Sequence, residues 1–350
     1  MAHPTTRCLI GLILLGLALL GAILGPSHLQ AQDIQEGLGM VTGAETGTFI
    51  RFGLDIASIA RQAHLDISVK PSEGSLDNIR RMVSSENAAL GIVQSDVLSF
   101  LKRSNNPEMR RIADQLRLVF PLHNEEIHLF ANRTIRRLSD LAGKRVVIGT
   151  KGSGSWLTAN NLFALAHIEP AERLELPPAQ AISAVLAGEA DAMIDVAGKP
   201  APLFVQLQDL LVQPTYAPLV TKVHFVPIRD ETVLAAYVPA TITPQDYAWV
   251  DETTSTVAVK AVLIGFDFSS RRNPYFAKRC EELAQLGQVM RRNFDLLQKT
   301  GHPKWQEVDL NEELGIWQWD ACARPNVPTA LPPNKDLMQA IEDILLQKAP

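Results

Sequence analysis

Short apolar runs alternate with helix-like patterns along most of the chain from residue 37 onward. The run GLGMV predicts a first strand, and LDISV and AALGIV predict two more, each followed by a helical pattern. The first helix places apolar side chains at helical spacing on one face, at Phe49, Phe52, Ile56, Ile59 and Ala60. Strands that alternate with helices in this way are typical of an α/β fold with largely parallel sheets.

The same order of elements returns in a second module between residues 141 and 211. VVIGT predicts a strand and WLTANNLFALAHI a helix, and RLELP then predicts a second strand. A helix over 179–187, a third strand over 190–196 and a helix over 200–211 complete the module. The chain therefore contains two similar modules in succession.

Two long β-prone segments separate and follow the modules, and they predict crossovers between two lobes. The first, LRLVFPLHNEEIHLFANR, is expected to break at its Pro-Leu-His-Asn-Glu-Glu stretch, and the second is TSTVAVKAVLIGF. On this scheme residues 32–125 form the first part of lobe 1, residues 126–257 form lobe 2, and residues 258–324 return to lobe 1 with helices over 275–298.

Both ends of the chain differ in composition from the modules. Residues 8–25 form an uncharged run of apolar residues and glycines, so residues 1–31 predict an export signal cleaved after Ala31 or, alternatively, an uncleaved N-terminal anchor. No second run of that length follows, which excludes a polytopic membrane protein. Residues 325–350 begin with a proline-rich linker and end in an amphipathic helix, which either docks on its own domain or contacts a partner.

Composition narrows the class of protein further. The 350 residues carry 33 basic and 38 acidic side chains, a net charge of −5, which argues against a dominant nucleic-acid surface. The three cysteines are too few for a zinc cluster or a disulfide framework, and we predict no metal and no cofactor. Cys280 and Cys322 are the two outside the export segment, and they are either a disulfide in an oxidising compartment or two buried thiols.

Five polar turns follow predicted strands, and they are the segments that can bind a ligand. They are Thr42–Thr48, Pro71–Ser75, Gln94–Asp96, Lys151–Ser155 and Ala197–Lys199. In an open α/β sheet such turns and the helix N-termini after them face one crevice, where free N–H groups bind anions. For any single turn, ordinary helix capping is the alternative explanation.

Motifs of several enzyme classes are missing from the sequence. Neither glycine-rich turn matches a nucleotide-binding motif, and no serine-hydrolase elbow or zinc-protease helix is present. His123 and His128 flank Glu125 and Glu126, which is weakly metal-like, but a mixed polar strand at a crossover explains this cluster better.

The sequence at these turns resembles the TAXI family of extracytoplasmic solute receptors, which serve TRAP transporters. The matching segments include TGAETGTFIRFGLDIA, EGSLDNIRRM, AALGIVQSD, DLAGKRVVIGTKGSGSWLTANNL and GEADAMIDVAGKPAP, in the family's order over about residues 37–265. The resemblance implies a type II periplasmic binding-protein fold, with two lobes of mostly parallel sheets joined by hinge strands. It also implies a solute such as glutamate, glutamine or a related dicarboxylate.

The resemblance places a ligand against residues of both modules. The candidate ligand-binding residues are Thr46, Gly47, Thr48, Phe49, Ser75, Gln94, Ser153, Gly154, Ser155, Trp156, Gly198 and Lys199. Three of them depart from the family pattern: Phe49 replaces a common tyrosine, Trp156 a small or acidic residue, and Lys199 an apolar one. Facing the cleft, a tryptophan favours an apolar or planar ligand and a lysine favours an anion.

These observations predict a periplasmic solute receptor, not an enzyme, that acts as a monomer with a small-molecule solute and the TRAP membrane subunits as partners. An enzyme on the same two-lobed fold is an alternative, and it needs a general acid or base among Glu45, Asp96, Lys151 and Lys199. A membrane-tethered sensor that signals through the C-terminal helix is another.

Overall fold

The computed structural model describes residues 37–45, 47–84, 88–271 and 273–324. The predicted export signal, Thr46 and the predicted C-terminal linker and helix lie outside these residues. Among the helices in the described ranges, none has both the length and the apolar character needed to cross a bilayer.

The first module contains the three predicted strands and their helices. Its elements are β1 (Leu38–Val41), α1 (Thr48–Arg61), β2 (Ile67–Lys70), α2 (Ser75–Val83), β3 (Leu90–Gln94), α3 (Val97–Arg103) and α4 (Pro107–Gln115). The predicted apolar face of α1 is buried, and it packs on the sheet. The strand β4 (Leu116–Asn132) then leaves the module.

The second module repeats this order. Its elements are β5 (Arg145–Val147), α5 (Gly154–Ala166), β6 (Glu172–Leu174), α6 (Pro178–Ala187), β7 (Ala192–Ala197), α7 (Pro202–Val205) and α8 (Leu207–Leu211). The single helix predicted over 200–211 is thus divided into two at Gln206. Four short elements complete this part: α9 (Ala217–Val220), β8 (Val223–Phe225), α10 (Glu231–Leu234) and β9 (Val238–Ile242).

The long strand β10 (Thr254–Phe266) returns the chain to the first module, which α11 (Pro274–Arg292) and α12 (Phe294–Thr300) complete. The strand order is β2-β1-β3-β10-β4-β7-β5-β6, with β8 beside β4 and β9 beside β10. Pairs inside each module are parallel, whereas β4 and β10 pair antiparallel with each other and with β7 and β3. The result is two α/β lobes joined by two crossover strands: lobe 1 holds β1–β3 and α11–α12, and lobe 2 holds β5–β9.

The first crossover is one continuous strand, so the break predicted at Pro-Leu-His-Asn-Glu-Glu is wrong. Pro121 lies opposite Val262 beside a register shift in the β4–β10 pairing, where a residue without an N–H group is tolerated. The acidic residues of this stretch are buried with partners instead of facing solvent in a loop: Gln94 donates to Glu125, and Lys304 pairs with Glu126. The predicted boundaries between the lobes, at residues 125/126 and 257/258, lie side by side in the structure, because Ala258 of β10 pairs with Glu126 of β4.

The residues after β10 are anchored to α1 through aromatic packing. Trp305, in the 3-10 helix Pro303–Glu307, stacks on Phe52 with ring centroids 4.3 Å apart, and His123 lies on the same phenyl ring at 4.2 Å. The indole N–H of Trp305 donates to Asp55 Oδ2 at 2.8 Å. The last part of the described chain therefore belongs to the core of lobe 1.

Cys280 and Cys322 form a disulfide, which decides between the two states that the sequence left open. The bond ties α11 to the segment after Trp305 and closes a loop with a sequence separation of 42 residues.

Replacing both cysteines by alanine is expected to lower the free energy of unfolding by about 4 kcal/mol. Without the bond the unfolded chain has more conformational entropy, and for a loop of this length the gain stabilises the unfolded state by that amount. Urea unfolding of the variant and the wild type measures the difference. A reducing agent should destabilise the wild type by a similar amount and leave the double variant unchanged. A wild type that is insensitive to reduction contradicts this expectation.

Candidate functional site

A cavity of about 440 Å³ lies between the two lobes. The carboxyl ends of all six parallel strands open on it: Gln94 at the end of β3 and the residues that follow β1 and β2 line one side, and the residues that follow β5, β6 and β7 line the other. The lining includes nine predicted residues, namely Gly47, Thr48, Phe49, Ser75, Gln94, Ser153, Gly154, Ser155 and Gly198. The N-termini of α1, α2 and α5 lie in the same wall.

Of the other three predicted residues, Thr46 lies outside the described residues, and Trp156 and Lys199 do not line the cavity. The indole of Trp156 donates to Glu175 at 2.9 Å and meets the ring of Phe100 edge to face, away from the cavity. The sequence reasoning gave the position of this residue but not the direction of its side chain.

Lys199 also points away from the cavity. Its ammonium donates to Asp246 Oδ2 at 2.9 Å and to the carbonyl oxygen of Thr241 at 2.7 Å. Its backbone N–H donates to Glu126 Oε2 at 2.9 Å, and the residue is not part of the cavity lining. In this structure the lysine charge is neutralised within lobe 2, so it provides no counter-charge for a bound anion.

Two serine hydroxyls of the cavity, those of Ser75 and Ser153, each accept one hydrogen bond within the protein. Ser75 Oγ accepts from the N–H of Gln94 at 3.0 Å, and Ser153 Oγ caps α5 by accepting from the N–H of Trp156 at 3.2 Å. Each hydroxyl still has its own O–H to donate. The N-cap residues of α1 and α2 are Gly47 and Gly74, which have no side chain to cap the helix, so amide donors of these first turns face the cavity.

Two acidic residues line the cavity that sequence reasoning did not assign to the site. Glu125 Oε2 accepts from Gln94 Nε2 at 2.9 Å, and burial raises the pKa of Glu125 to about 7. Asp195 Oδ1 accepts from Ser155 Oγ at 3.3 Å, and burial raises the pKa of Asp195 to about 6, with the charge of Glu125 adding to the shift. The only signal in the sequence for these two residues was an acidic residue inside an otherwise buried strand. Their hydrogen-bond partners, Gln94 and Ser155, are too distant in sequence to be recognised from it.

No basic side chain balances these carboxyls inside the cavity. Within the described part of the chain, the lining contains no lysine, arginine or histidine. His123 Nε2 lies 3.7 Å from Glu125 Oε1, but burial lowers the pKa of His123 well below its usual range, as does the charge of Lys304. An anionic group in this cavity therefore depends on amide and hydroxyl donors.

Two glycines allow the lobes to approach each other at the cavity. A Cβ at Gly154 of α5 would lie 2.5 Å from Gln94 Oε1, and a Cβ at Gly198 would lie 2.8 Å from the Lys304 stem. The Lys304 ammonium cannot move freely, because it is buried and pairs with Glu126 at 3.2 Å. Close packing between the lobes thus requires the absence of a side chain at both positions.

The profile of the NMT1-like family matches residues 40–268, about two thirds of the chain. The chain belongs to the NMT1-like family. Together with the two-lobed topology, this membership confirms the predicted fold class, an α/β type II periplasmic binding-protein fold, and it assigns the chain to a family of solute-binding proteins. No curated protein sequence matches it.

Several solved structures are similar to this chain at low sequence identity. They include the aliphatic sulphonate binding protein SsuA from Escherichia coli (16% identity, TM-score 0.40, covering 78% of this chain and 77% of that one). The malate-bound MatC from Rhodopseudomonas palustris has 17% identity and a TM-score of 0.43, covering 74% and 84%. The arginine-, lysine- and histidine-binding ArtJ from Geobacillus stearothermophilus has 14% identity and a TM-score of 0.42, covering 79% and 96%.

Replacing Glu125 by glutamine is expected to raise the free energy of unfolding at pH 8 by about 3 kcal/mol, and by far less near pH 4.5. The raised pKa means that the folded protein holds a proton between about pH 4.5 and pH 7 that the unfolded chain has lost. Wild-type stability therefore falls as the pH rises through this window, and a glutamine avoids the penalty. Denaturant unfolding of the wild type and the variant at pH 8 and pH 4.5 measures the difference in their free energies of unfolding. A difference that is equal at the two pH values would contradict this prediction.

Proposed function

We propose that this chain is a periplasmic receptor that binds a small carboxylate-bearing solute, such as glutamate, glutamine or a dicarboxylate, and delivers it to the membrane subunits of a TRAP transporter. The observation that carries the proposal is the single cavity on which the carboxyl ends of all six parallel strands open. Its volume of about 440 Å³ is in the range of small-molecule sites. The resemblance of these turns to the TAXI receptors supports the transporter partnership.

The donors in the cavity wall fit a carboxylate. The first turns of α1, α2 and α5 present backbone N–H groups at the positive ends of three helix dipoles. The hydroxyls of Ser75 and Ser153 add donors, one from each lobe. A solute that engages both lobes binds the closed arrangement better than the open one, so its binding shifts the receptor toward closure.

Two features support a location outside the cytoplasm. The bond between Cys280 and Cys322 is of a kind that persists in oxidising compartments. The apolar run of residues 8–25 provides either an export signal or a membrane anchor. A cleaved export signal releases a monomeric receptor into the periplasm, and an uncleaved anchor holds it at the outer face of the membrane; in both cases it can reach a transporter there.

The proposed role is binding without catalysis. The four residues considered as a general acid or base are Glu45, Asp96, Lys151 and Lys199, and none of them lines the cavity. Turnover of a bound metabolite by the purified protein would contradict this part of the proposal.

Native mass spectrometry of the protein purified from the periplasm tests the solute class directly, by the mass of a co-purified molecule. Calorimetry with L-glutamate, L-glutamine and malate follows. A co-purified molecule without a carboxylate, together with no binding of the three compounds, would overturn the assignment of the solute.

Replacing Ser75 or Ser153 by alanine is expected to weaken binding of the identified solute by about 1–2 kcal/mol, or 5- to 30-fold, since each change removes a hydroxyl donor from the cavity wall. Calorimetry measures the change in Kd. Ser183→Ala on α6 is the matched control, because its hydroxyl is exposed and donates to the carbonyl oxygen of Ala179. Unchanged affinity in both cavity variants would remove these residues from the site.

A further inference from the structure

Asp96 lies outside the cavity, where the end of β3 in lobe 1 meets lobe 2. Three side-chain donors converge on its Oδ2 atom: Asn161 Nδ2 at 2.9 Å, Thr158 Oγ1 at 3.0 Å and the hydroxyl of Tyr237 at 2.9 Å. All three belong to lobe 2, two on α5 and one just before β9. One carboxyl group of lobe 1 is thus held by three separate side chains of the opposite lobe.

The three lobe 2 side chains that hold Asp96 are buried, and Asp96 itself is half-buried. Thr158 and Asn161 are 0% and 2% exposed, and Tyr237 is 8% exposed. The second carboxyl oxygen, Oδ1, is buried without a hydrogen-bond partner, so the Oδ2 bonds compensate most of the desolvation of the group. Losing one of these donors costs more here than at a solvated surface.

The helix α3 extends this contact along α5. The guanidinium of Arg103 donates to Asn161 Oδ1, and the ring of Phe100 meets Trp156 edge to face with centroids 5.8 Å apart. Because α5 also carries Ser153, Gly154 and Ser155 at its N-terminus, these contacts fix the position of one cavity wall relative to lobe 1.

A shared hydroxyl joins this contact to the cavity. Thr158 Oγ1 lies 3.0 Å from Asp96 Oδ2 and 3.2 Å from Gln94 Oε1, and a hydroxyl has one proton to donate. Gln94 lines the cavity, and its amide nitrogen Nε2 donates to Glu125. A solute donor that satisfies Gln94 Oε1 leaves the Thr158 hydroxyl to Asp96.

We propose that Asp96 is an interlobe clamp: with Thr158, Asn161 and Tyr237 it holds the lobes closed through contacts that do not pass through the solute. The clamp sets the fraction of closed receptor before binding, and so the apparent affinity for any solute. Its effect on affinity rests on the proposed receptor function, whereas its effect on lobe closure does not.

Small-angle X-ray scattering of the protein freed of small molecules by unfolding, dialysis and refolding tests the clamp without a solute. Tyr237→Phe removes one donor and is expected to raise the ratio of open to closed molecules about tenfold, seen as a larger radius of gyration. Asp96→Ala should open the protein further, and Asp96→Asn, which keeps an acceptor oxygen, should stay closer to the wild type.

Two control variants define the scattering of the unchanged and of the opened protein. Tyr216→Phe removes an exposed hydroxyl of lobe 2 and should leave the scattering unchanged. Gly154→Ala forces a methyl group against Gln94 and gives the scattering of a receptor wedged open. If Asp96→Ala does not refold, Tyr237→Phe and Thr158→Val still carry the test, because both leave the carboxyl in place.

A thermal unfolding scan on the same samples separates a clamp from a purely structural role. A lower midpoint in Tyr237→Phe and Thr158→Val with wild-type scattering would overturn the proposal, since the residues would then stabilise the fold without controlling the lobes. The outcome is independent of the solute class, because a receptor that binds no carboxylate still opens or stays closed in these samples.

Discussion

The antiparallel pairing of β4 with β10 is the constraint on which the rest of the molecule depends. Each module alone is an ordinary α/β sheet with its strand carboxyl ends at one edge. The two crossover strands hold the modules with those edges facing each other, so that polar turns more than a hundred residues apart in sequence line one cavity. The same strands carry Glu125 and Glu126, which brings the acidic chemistry to the junction.

The order of strands and helices was predictable because it depends on local periodicity. The buried face of α1 follows directly from its apolar spacing, and the turns follow from their glycines and hydroxyl residues. The continuity of β4 was not predictable, because the partners that bury its polar residues, Gln94 and Lys304, are distant in sequence. The directions of the Trp156 and Lys199 side chains could not be predicted for a similar reason, because their partners, Glu175 and Asp246, come close to them only in the folded structure.

The candidate site was predictable as a set of turns but not as an electrostatic environment. Asp195 lies within an apolar strand, and nothing near it in sequence indicates that it faces a cavity beside Glu125. The turn after β6 was missed because Leu176 and the two following prolines lack the polar composition of the other turns. The cavity consequently has acidic side chains and neutral donors, whereas the buried cation Lys304 pairs with Glu126 of β4 and with Glu307.

The disulfide has a consequence for the integrity of the hinge. Trp305 and Lys304, which anchor the returning chain to α1 and to the crossover strand, both lie inside the covalent loop that Cys280 and Cys322 close. A protease that cuts this loop once leaves both fragments attached to the same molecule. In a compartment exposed to extracellular proteases, a nicked receptor can therefore keep the residues that brace its hinge.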